Sequence, residues 1–431
     1  MLFNQTERKR FVVLGLDGLP ASLALKWSKR LPNLSRIAGK CEPINAELPE
    51  LSPVNWTSFF TAQKPEKHGL YGFTSIDPQT YTLSINNFEQ VLCPTIFDAL
   101  GKNGLISKVI NLPNTYPAKP LRGMLISGFV ADSFKQAVQP PFLLGPLREA
   151  GYQLEADTSR GIMDPDYLFD QVAHTLEGRL KALELLWNDL AWDLFTIVFT
   201  ETDRLFHFFY PAFEDDNHPL ASKAAEFMHK WDHAIGIVLD KFEALPGDKK
   251  LISFADHGFA ALETEVDLNT FLLQQGYLEC AQPAKDQWDS TIIAPSSKAF
   301  ALDPGRIYIH TSDFTRGHID PAQADKIAAE IANKLMKLEF NGQKVMEQVI
   351  TKHEAYGDNP IGYPPHLICT AKPGFDLKAK FDRAEIFGFH GRTGTHTVQD
   401  AFFYSSDGQQ ISTMHQTGQI ILDWFNITLP D

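Results

Sequence analysis

Residues 11–18 read FVVLGLDG, an apolar run that ends abruptly at an aspartate and a glycine. The run is continuous and partly β-branched, which is typical of a strand buried on both faces of a sheet. Two later runs have the same character, LFTIVF at 194–199 and KLISFA at 250–255. Helical periodicity over 165–188 and 219–245 separates these runs at the spacing of βαβ units. The pattern predicts an α/β fold with a mostly parallel central sheet covered by helices.

Shorter elements complete this predicted core. We expect helices over 20–39 with a break near Pro32, and a helix from Ser52 to Ala62 that has a proline directly after its first residue. Short strands are predicted towards the end of the chain, at 401–404 and 419–423.

The composition of the sequence changes after residue 260. Residues 261–365 are richer in proline and irregular connections, and Asn341-Gly342 is a hairpin signal. We therefore predict a core formed by residues 8–260 and 366–431, with an inserted α+β cap formed by residues 261–365. The predicted cap elements are the strands 300–302 and 306–310 and the helix 321–338.

The composition is that of an ordinary globular protein with an acidic surface. Of its 431 residues 44% are apolar, enough for a sizeable core, and the net charge is −14, which disfavours a nucleic-acid polymer as partner. Four scattered cysteines without a CxxC pair suggest reduced thiols. No apolar run is long enough for a signal peptide or a transmembrane helix. We expect a cytoplasmic protein with no membrane partner, and the oligomeric state stays open.

Three of the predicted strands are followed by side chains that commonly bind metal ions. Asp17 closes the first strand, Asp203 follows the second, and Asp256-His257 closes the third. Each of these alone has an ordinary explanation as a helix cap or a turn residue. The carboxyl ends of parallel strands meet at one edge of a sheet, however, so three such endings predict that the side chains converge on one crevice.

One potential ion site is built around the second strand. Asp203 and His207 are four residues apart, so on a helical turn they share a face and could chelate one ion. A third ligand is needed, and the segment GFHGRTGTH at 388–396 offers His390 and His396.

A second potential site combines the first and third strands. Asp256 and His257 at the tip of a strand can reach different sides of an ion, and Asp17 would complete the set. Mixed nitrogen and oxygen ligands suit Zn²⁺ or a similar transition ion such as Mn²⁺ better than Ca²⁺.

Ser52 is the candidate nucleophile. A serine at a helix start is usually a cap, but the same position directs its hydroxyl and the free N–H groups of the helix at an incoming anion. A metal bound to that oxygen would lower its pKa without a histidine base. The chain has no GxSxG elbow, Walker loop or GxGxxG motif.

Six segments, taken in order, resemble the type I phosphodiesterase/nucleotide pyrophosphatase family of the alkaline phosphatase superfamily. They are VLGLDG (13–18), LSPVNWTSFFTA (51–62), KPEKHGLYGF (64–73), FTETDRLFHFFY (199–210), FADHGF (254–259) and GTH (394–396). The resemblance spans nearly the whole chain. It implies an alkaline-phosphatase-like three-layer sandwich and two divalent metal ions.

The resemblance also implies a role for each matching residue. One ion would be held by Asp203, His207 and His396, and the other by Asp17, Asp256 and His257. Ser52 would lie between the ions, as metal ligand and nucleophile. His396 is preferred to His390 because GTH precedes an apolar strand, as the last ligand of the family does.

We predict a two-metal-dependent phosphoric ester hydrolase, a phosphodiesterase that acts on a small phosphate ester through a phosphoserine at Ser52. Zn²⁺ is the expected ion, with Mn²⁺ as an alternative. Asn55, one turn into the helix after Ser52, and Arg392, near His396 in the sequence, are candidate contacts for the phosphate or the leaving group.

Alternatives on the same fold are a phosphomonoesterase, a phosphonate hydrolase and a phosphomutase. A non-catalytic binding protein on this scaffold and a metal-independent serine hydrolase belong to other classes. Phe73 stands where nucleotide pyrophosphatases of the family have an asparagine, which disfavours nucleotide diesters. The residues after Ser52 also lack the signature of sulfatases.

Overall fold

The structure, a computed structural model, describes residues 8–189 and 191–429. Segment 1–7 lies outside the described residues, as does the end of the predicted core at 430–431. The chain forms two compact units. The first comprises Met1–Lys64, Asn87–Phe259 and His396–Asp431, and the second comprises Pro65–Asn86 and Ala260–Thr395.

Eight strands form the main sheet of the first unit. They are β1 (Arg10–Leu16), β2 (Glu42–Ile44), β3 (Ser107–Leu112), β4 (Gly123–Ser127), β5 (Val138–Gln139), β6 (Leu194–Phe199), β7 (Lys249–Phe254) and β8 (Ala401–Ser405). Their order across the sheet is β2-β8-β7-β1-β6-β3-β4-β5. The strands from β7 to β4 run parallel, whereas β2, β8 and β5 are antiparallel to their neighbours. The predicted α/β fold with a mostly parallel sheet is confirmed.

The register of β1 sets where the site lies. All seven of its residues are buried, because it pairs with β6 on one side and β7 on the other. Leu16 is opposite Phe199, and Gly15 is opposite Phe254. The residues that follow these three strands therefore emerge together at one edge of the sheet.

Helices flank this sheet. Those of the first unit are Ala21–Ser28, Pro32–Ala38, Ser52–Thr61, Ile96–Lys102, Leu144–Glu149, Pro165–Trp187, Glu201–Glu214, Ala221–Glu243 and His415–Phe425, with 3₁₀ turns at Phe88–Gln90, Pro141–Leu143 and Gly161–Met163. Gly15 allows the Ser52–Thr61 helix to lie close to β1, since a Cβ there would come within 2.6 Å of the Trp56 ring. The helix that carries Ser52 is thus held directly against the central strand.

The strand predicted at 419–423 is wrong, because the segment belongs to the helix His415–Phe425. The apolar residues Ile420, Ile421 and Leu422 are buried, as expected of a buried strand, but they belong to a helix. Gly418 lets this helix touch the Ser52–Thr61 helix, since a Cβ at this position would come within 2.1 Å of the Phe59 carbonyl oxygen.

The second unit contains short strands and four helices. Its strands are Thr74–Ile76, Leu83–Ile85, Thr264–Asp267, Ala299–Leu302, Arg306–Ile309, Glu339–Phe340, Gln343–Lys344, Met346–Thr351, Leu367–Ala371, Phe375–Lys378 and Phe387–Gly388. Its helices are Pro65–His68, Leu268–Gln274, Pro321–Leu335 and Lys352–Tyr356, with a 3₁₀ turn at Ser290–Ile292. Two further strands, Gly258–Ala261 and Gly394–Thr397, cross the division between the units. The predicted hairpin at Asn341-Gly342 is present, and both residues have positive φ, 49° and 81°.

The second unit is larger than the predicted cap of residues 261–365. Strand Leu367–Ala371, which we expected in the core, pairs instead with Arg306–Ile309 and Met346–Thr351. Segment Pro65–Asn86 also belongs to this unit, and the buried side chain of Arg306 donates a hydrogen bond to the Thr74 carbonyl at 2.7 Å. Pairing between distant segments, which local pattern does not reveal, accounts for both differences.

The apolar character of the helices and the state of the cysteines were also subjects of prediction. Among the described residues, the helices lack the combination of length and apolar character needed to cross a bilayer. The four cysteines are free thiols; Cys369 is buried, and Cys41, Cys93 and Cys280 are partly buried.

We predict that Gly418→Ala destabilises the first unit, because the added methyl group must push apart two helices in backbone contact. The expected loss of unfolding free energy is about 1–3 kcal/mol, as for other overpacked sites, and denaturant titration would measure it. Gly145→Ala is the matched control, since that helical glycine has open space around its Cβ position. Equal stability of the two variants would contradict the close contact.

Candidate active site

The seven predicted ligand and nucleophile residues all lie in the first unit. Asp17 directly follows β1, Asp256 and His257 follow β7 after one residue, and Asp203 lies in the first turn of the helix Glu201–Glu214 that follows β6. Ser52 is the first residue of its helix, and His396 lies in the strand Gly394–Thr397. They meet at the edge of the sheet where the parallel strands end.

Asp203, His207 and His396 form the first of two groups whose ligand atoms lie within 4.8 Å of one another. The Nε2 atom of His396 is 3.1 Å from that of His207 and 3.4 Å from Asp203 Oδ1. His207 Nε2 lies 3.5 Å from the same oxygen. Three potential ligand atoms therefore point at a common centre.

Asp17, Asp256 and His257 form the second group, with ligand atoms within the same 4.8 Å limit. His257 Nε2 is 3.3 Å from Asp256 Oδ2 and 3.3 Å from the hydroxyl oxygen of Ser52. Ser52 is only 5% exposed, so this hydroxyl is largely shielded from bulk water.

The chemistry of the donor atoms fits divalent ions. Within residues 8–189 and 191–429, Asp17 Oδ1, Asp203 Oδ1 and Asp256 Oδ2 are buried without a hydrogen-bond donor. The other oxygen of Asp256 accepts the Gly18 N–H at 3.2 Å, and the other oxygen of Asp203 accepts from Arg204 Nη1 at 2.7 Å. A buried carboxylate oxygen without a partner is costly, and a bound cation removes that cost.

Two histidines carry their lone pair on Nε2, as a metal ligand must. His257 Nδ1 is 3.0 Å from the Gly258 carbonyl, and His396 Nδ1 is 2.9 Å from the Glu50 carbonyl. Because a carbonyl can only accept, each Nδ1 is the protonated nitrogen, and Nε2 is free to coordinate. Burial lowers the pKa of His257, which keeps its ring neutral.

The electrostatics of the carboxylates differ. Burial, followed by the neighbouring carboxylates of Asp256 and Asp203, raises the pKa of Asp17 well above its usual value. Burial also acts to raise the pKa of Asp203, but its interactions with His207, His396 and Arg204 outweigh it and lower that pKa well below the usual range. The site is thus an anionic cluster that is only partly compensated by its own side chains.

Phe259 packs against the histidine rings of both groups. Its ring centroid is 5.1 Å from those of His207 and His396 and 5.9 Å from that of His257. The rings of His257 and His396 are themselves stacked, with centroids 3.6 Å apart. The imidazoles are therefore held by packing as well as by hydrogen bonds.

Asn55 has a different role from the predicted one. It is fully buried, its Oδ1 accepts the Glu47 N–H at 2.7 Å, and its Nδ2 donates to the carbonyls of Glu47, Pro49 and Leu51. These contacts leave the amide no free donor for a phosphate. Asn55 fastens the loop 47–51 to the helix, and we do not retain it as a substrate contact.

The N–H groups that follow Ser52 are also engaged. Proline 53 has none, and the N–H groups of Val54 and Asn55 donate to the Leu51 carbonyl at 3.0 and 2.9 Å. The expected binding of phosphoryl oxygens by these amides is therefore not retained. Arg392 and His390 lie in the second unit, and the predicted role of Arg392 stays a prediction.

Three residues of this site were not predicted. Arg204 directly follows Asp203, and Phe259 is two residues after His257. Their closeness to predicted ligands in the sequence could have identified them. Glu155, whose carboxylate is 3.0 Å from Arg204 Nε, is far away in the chain and gave no signal.

The family match, taken with this fold, assigns the chain to a class of protein: the phosphoesterase- and pyrophosphatase-type hydrolases of the alkaline phosphatase superfamily. The chain belongs to the type I phosphodiesterase/nucleotide pyrophosphatase family, whose model matches residues 11–393. No curated protein matches it.

Solved structures share the fold at low sequence identity. A phosphonoacetate hydrolase from Sinorhizobium meliloti 1021, in complex with phosphonoacetate, superposes with a TM-score of 0.62 and 15% identity, covering 97% of this chain and 96% of that chain. Murine ectonucleotide pyrophosphatase/phosphodiesterase 5, in complex with AMP, gives a TM-score of 0.58 and 12% identity, covering 98% and 96%. These similarities establish the alkaline-phosphatase-like fold.

We predict that Asn55→Ala lowers stability rather than substrate affinity. The loss of buried hydrogen bonds to loop 47–51 should reduce the unfolding free energy by about 1–3 kcal/mol. Asn103→Ala, which removes an exposed asparagine bonded only within its own helix turn, is the control. An Asn55→Ala protein of unchanged stability but with a sharply raised KM would contradict this assignment.

Proposed function

We propose that this chain is a phosphodiesterase that uses two divalent ions and Ser52 as its nucleophile. The observation that carries the proposal is the surroundings of the Ser52 hydroxyl. It lies 3.3 Å from His257 Nε2, the ring nitrogen that carries the lone pair, and that nitrogen is in turn 3.3 Å from Asp256 Oδ2, which has no hydrogen-bond donor among the described residues. A hydroxyl beside a ligand set of this kind is placed for activation.

The proposed reaction is a double displacement at phosphorus. The two ions, when bound, supply a lowered pKa for the serine hydroxyl and compensation for the charge on the phosphoryl oxygens. The Ser52 oxygen forms a bond to phosphorus as the bond to the leaving-group oxygen breaks, which gives a phosphoserine. Water then replaces the serine oxygen, so that one ester bond and one water molecule are consumed and the hydroxyl is restored.

The chain itself contributes position and shielding. The Glu50 and Gly258 carbonyls fix the orientation of His396 and His257, and Phe259 packs against both rings. Contact between Trp56 and β1 holds the helix that begins at Ser52, so the hydroxyl has little freedom to move away from the ligand groups.

Zn²⁺ is the ion that the donor set favours, with Mn²⁺ as the alternative, because each group combines carboxylate oxygen and imidazole nitrogen. Family membership favours a diester as the substrate. The structural neighbour that is a phosphonoacetate hydrolase raises phosphonate hydrolysis as the alternative activity on this fold, so a phosphonate belongs in the substrate panel.

We predict that Ser52→Ala abolishes multiple turnover on a bis-aryl phosphate. Loss of a nucleophile should lower kcat by at least about 10³-fold, as for other covalent catalysts. Metal analysis should still find two ions per chain, because six other ligands remain. Ser35→Ala, on an exposed helix position, is the control. A variant within about tenfold of the wild-type kcat would remove Ser52 from this role.

A second prediction concerns the ions and the substrate. Metal-stripped protein should be inactive, and Zn²⁺ or Mn²⁺ should restore hydrolysis, fastest on the bis-aryl phosphate in a panel that also holds an aryl monophosphate, phosphonoacetate and an aryl carboxylic ester. A faster rate on the monophosphate or on phosphonoacetate would identify the corresponding alternative. Activity on the carboxylic ester that survives chelation would indicate a metal-independent serine hydrolase, and metal binding without turnover would indicate a binding protein.

A further inference from the structure

The two oxygens of Asp203 have unlike surroundings. Oδ2 accepts a hydrogen bond from Arg204 Nη1 at 2.7 Å. Oδ1 is buried, has no hydrogen-bond donor among the described residues, and lies 3.4–3.8 Å from the Nε2 atoms of three histidines. Arg204 therefore occupies one oxygen and leaves the other to face the site.

Arg204 is itself held from two sides. Its Nε donates to Glu155 Oε2 at 3.0 Å, and its guanidinium carbon lies 4.3 Å from the centroid of the Phe129 ring. The side chains of Arg204 and Glu155 are only 13% and 20% exposed. A charge-assisted contact of this kind, shielded from water, holds its partners more firmly than a surface ion pair.

Glu155 is anchored through its backbone. The buried Arg179 donates to the carbonyls of Gln153 and Leu154, the two residues before it, the latter at 2.7 Å. A chain of contacts thus runs from Arg179 through the loop to Glu155, then to Arg204, and ends on Asp203.

Asp256 provides an internal comparison. One of its oxygens accepts the backbone N–H of Gly18, and the other is buried and has no donor within residues 8–189 and 191–429, as in Asp203. Asp203 and Asp256 therefore share one arrangement, in which one carboxylate oxygen accepts a hydrogen bond and the other faces the site without a donor among the described residues. The second group uses the backbone for it, whereas the first uses a pair of ionised side chains.

We propose that the Glu155–Arg204 pair is a positioning device that presents Asp203 as a one-oxygen ligand and thereby sets the metal affinity of the Asp203, His207 and His396 group. The inference rests on the proposed function, since it requires that this group binds an ion. Arg204 and Glu155 touch neither substrate nor ion in this role. They act through the geometry of Asp203.

A purely electrostatic account makes the opposite prediction. A guanidinium close to a cation site repels the cation, so removal of its charge in Arg204→Met should tighten metal binding. Loss of positioning should weaken it, because Asp203 is then free to rotate, and partners of metal ligands typically contribute about 10–100-fold in affinity. The sign of the change in affinity separates the two accounts.

The experiment titrates metal-stripped protein with Zn²⁺ against a chromogenic chelator and fits two affinities. The main variant is Glu155→Gln/Arg204→Met, which removes the pair without changing the net charge. We expect one of the two affinities to weaken about 10–100-fold, with the other changed less than about threefold. Arg204→Lys, which keeps the charge but not the forked geometry, should fall between this variant and the wild type.

Two controls show which of the two ligand groups the change in metal affinity belongs to. In a His396→Ala background only the Asp17 group is complete, so the same double substitution should leave the remaining affinity unchanged. Lys250→Met/Asp407→Asn removes another charge-neutral ion pair, 2.7 Å in length, whose lysine is the second residue of β7, at the opposite end of that strand from Asp256. It should leave both affinities intact, and thermal unfolding of the metal-free proteins shows whether each variant is folded.

The outcomes distinguish this inference from the function on which it rests. A wild-type protein that binds two ions, with the Glu155→Gln/Arg204→Met protein binding both as tightly, overturns the positioning role and leaves the proposed function standing. Tighter binding by Arg204→Met also overturns it. A wild-type protein that binds no ion overturns the proposed function itself. If the double variant does not fold, Arg204→Lys with unchanged affinities overturns the inference.

Discussion

Mutual repulsion among three buried carboxylates is the constraint on which the candidate site depends. Asp17, Asp203 and Asp256 are each no more than 2% exposed, and they lie beside one another because parallel strands end at the same edge. Two unit charges about 4 Å apart in a partly screened interior repel by about 4 kcal/mol. Such a cluster is relieved either by protonation of a carboxyl, as the raised pKa of Asp17 indicates, or by positive charge that compensates it. Arg204 supplies part of that charge, and the inward-facing free oxygens define where cations would supply the rest.

Backbone carbonyls decide the chemistry of the imidazoles. His257 and His396 each direct one nitrogen at a carbonyl, so in the neutral ring the lone pair lies on the other nitrogen. For His396 this carbonyl belongs to Glu50, in the loop that Asn55 ties to the start of its helix. The loop therefore links the position of the Ser52 hydroxyl to the orientation of a ligand that lies more than three hundred residues later in the sequence.

Strand character and the residues that follow each strand could be read from the sequence. The uniform apolar runs before Asp17, Asp203 and Asp256 predicted parallel strands, and the shared edge of such strands predicted convergence. The position of Asn55 one helical turn after Ser52 was misleading. Its amide forms hydrogen bonds with loop 47–51, whose course depends on three-dimensional contacts. Residues 419–423 were misjudged as a strand since a short apolar run fits a buried helix side equally well.

What could not be read from the sequence depends on contacts between distant segments. Strand Leu367–Ala371 has the composition of a core strand, and only its pairing with Arg306–Ile309 assigns it to the second unit. Glu155 is an unremarkable acidic residue until the chain brings it to Arg204. Ordinary local composition conceals such residues, because their roles exist only in the folded chain.

The helix His415–Phe425 packs on the helix that begins with Ser52, and both it and His396 are made after every other residue of the site. A ribosome-bound chain that has reached only residue 395 contains the serine and five of the six ligand residues, yet neither the last imidazole nor the covering helix. The helix that begins with Ser52 then lacks its contact with Gly418. Both the completed group of potential ligand atoms and the packing of the Ser52–Thr61 helix therefore depend on residues that lie after position 395 in the chain.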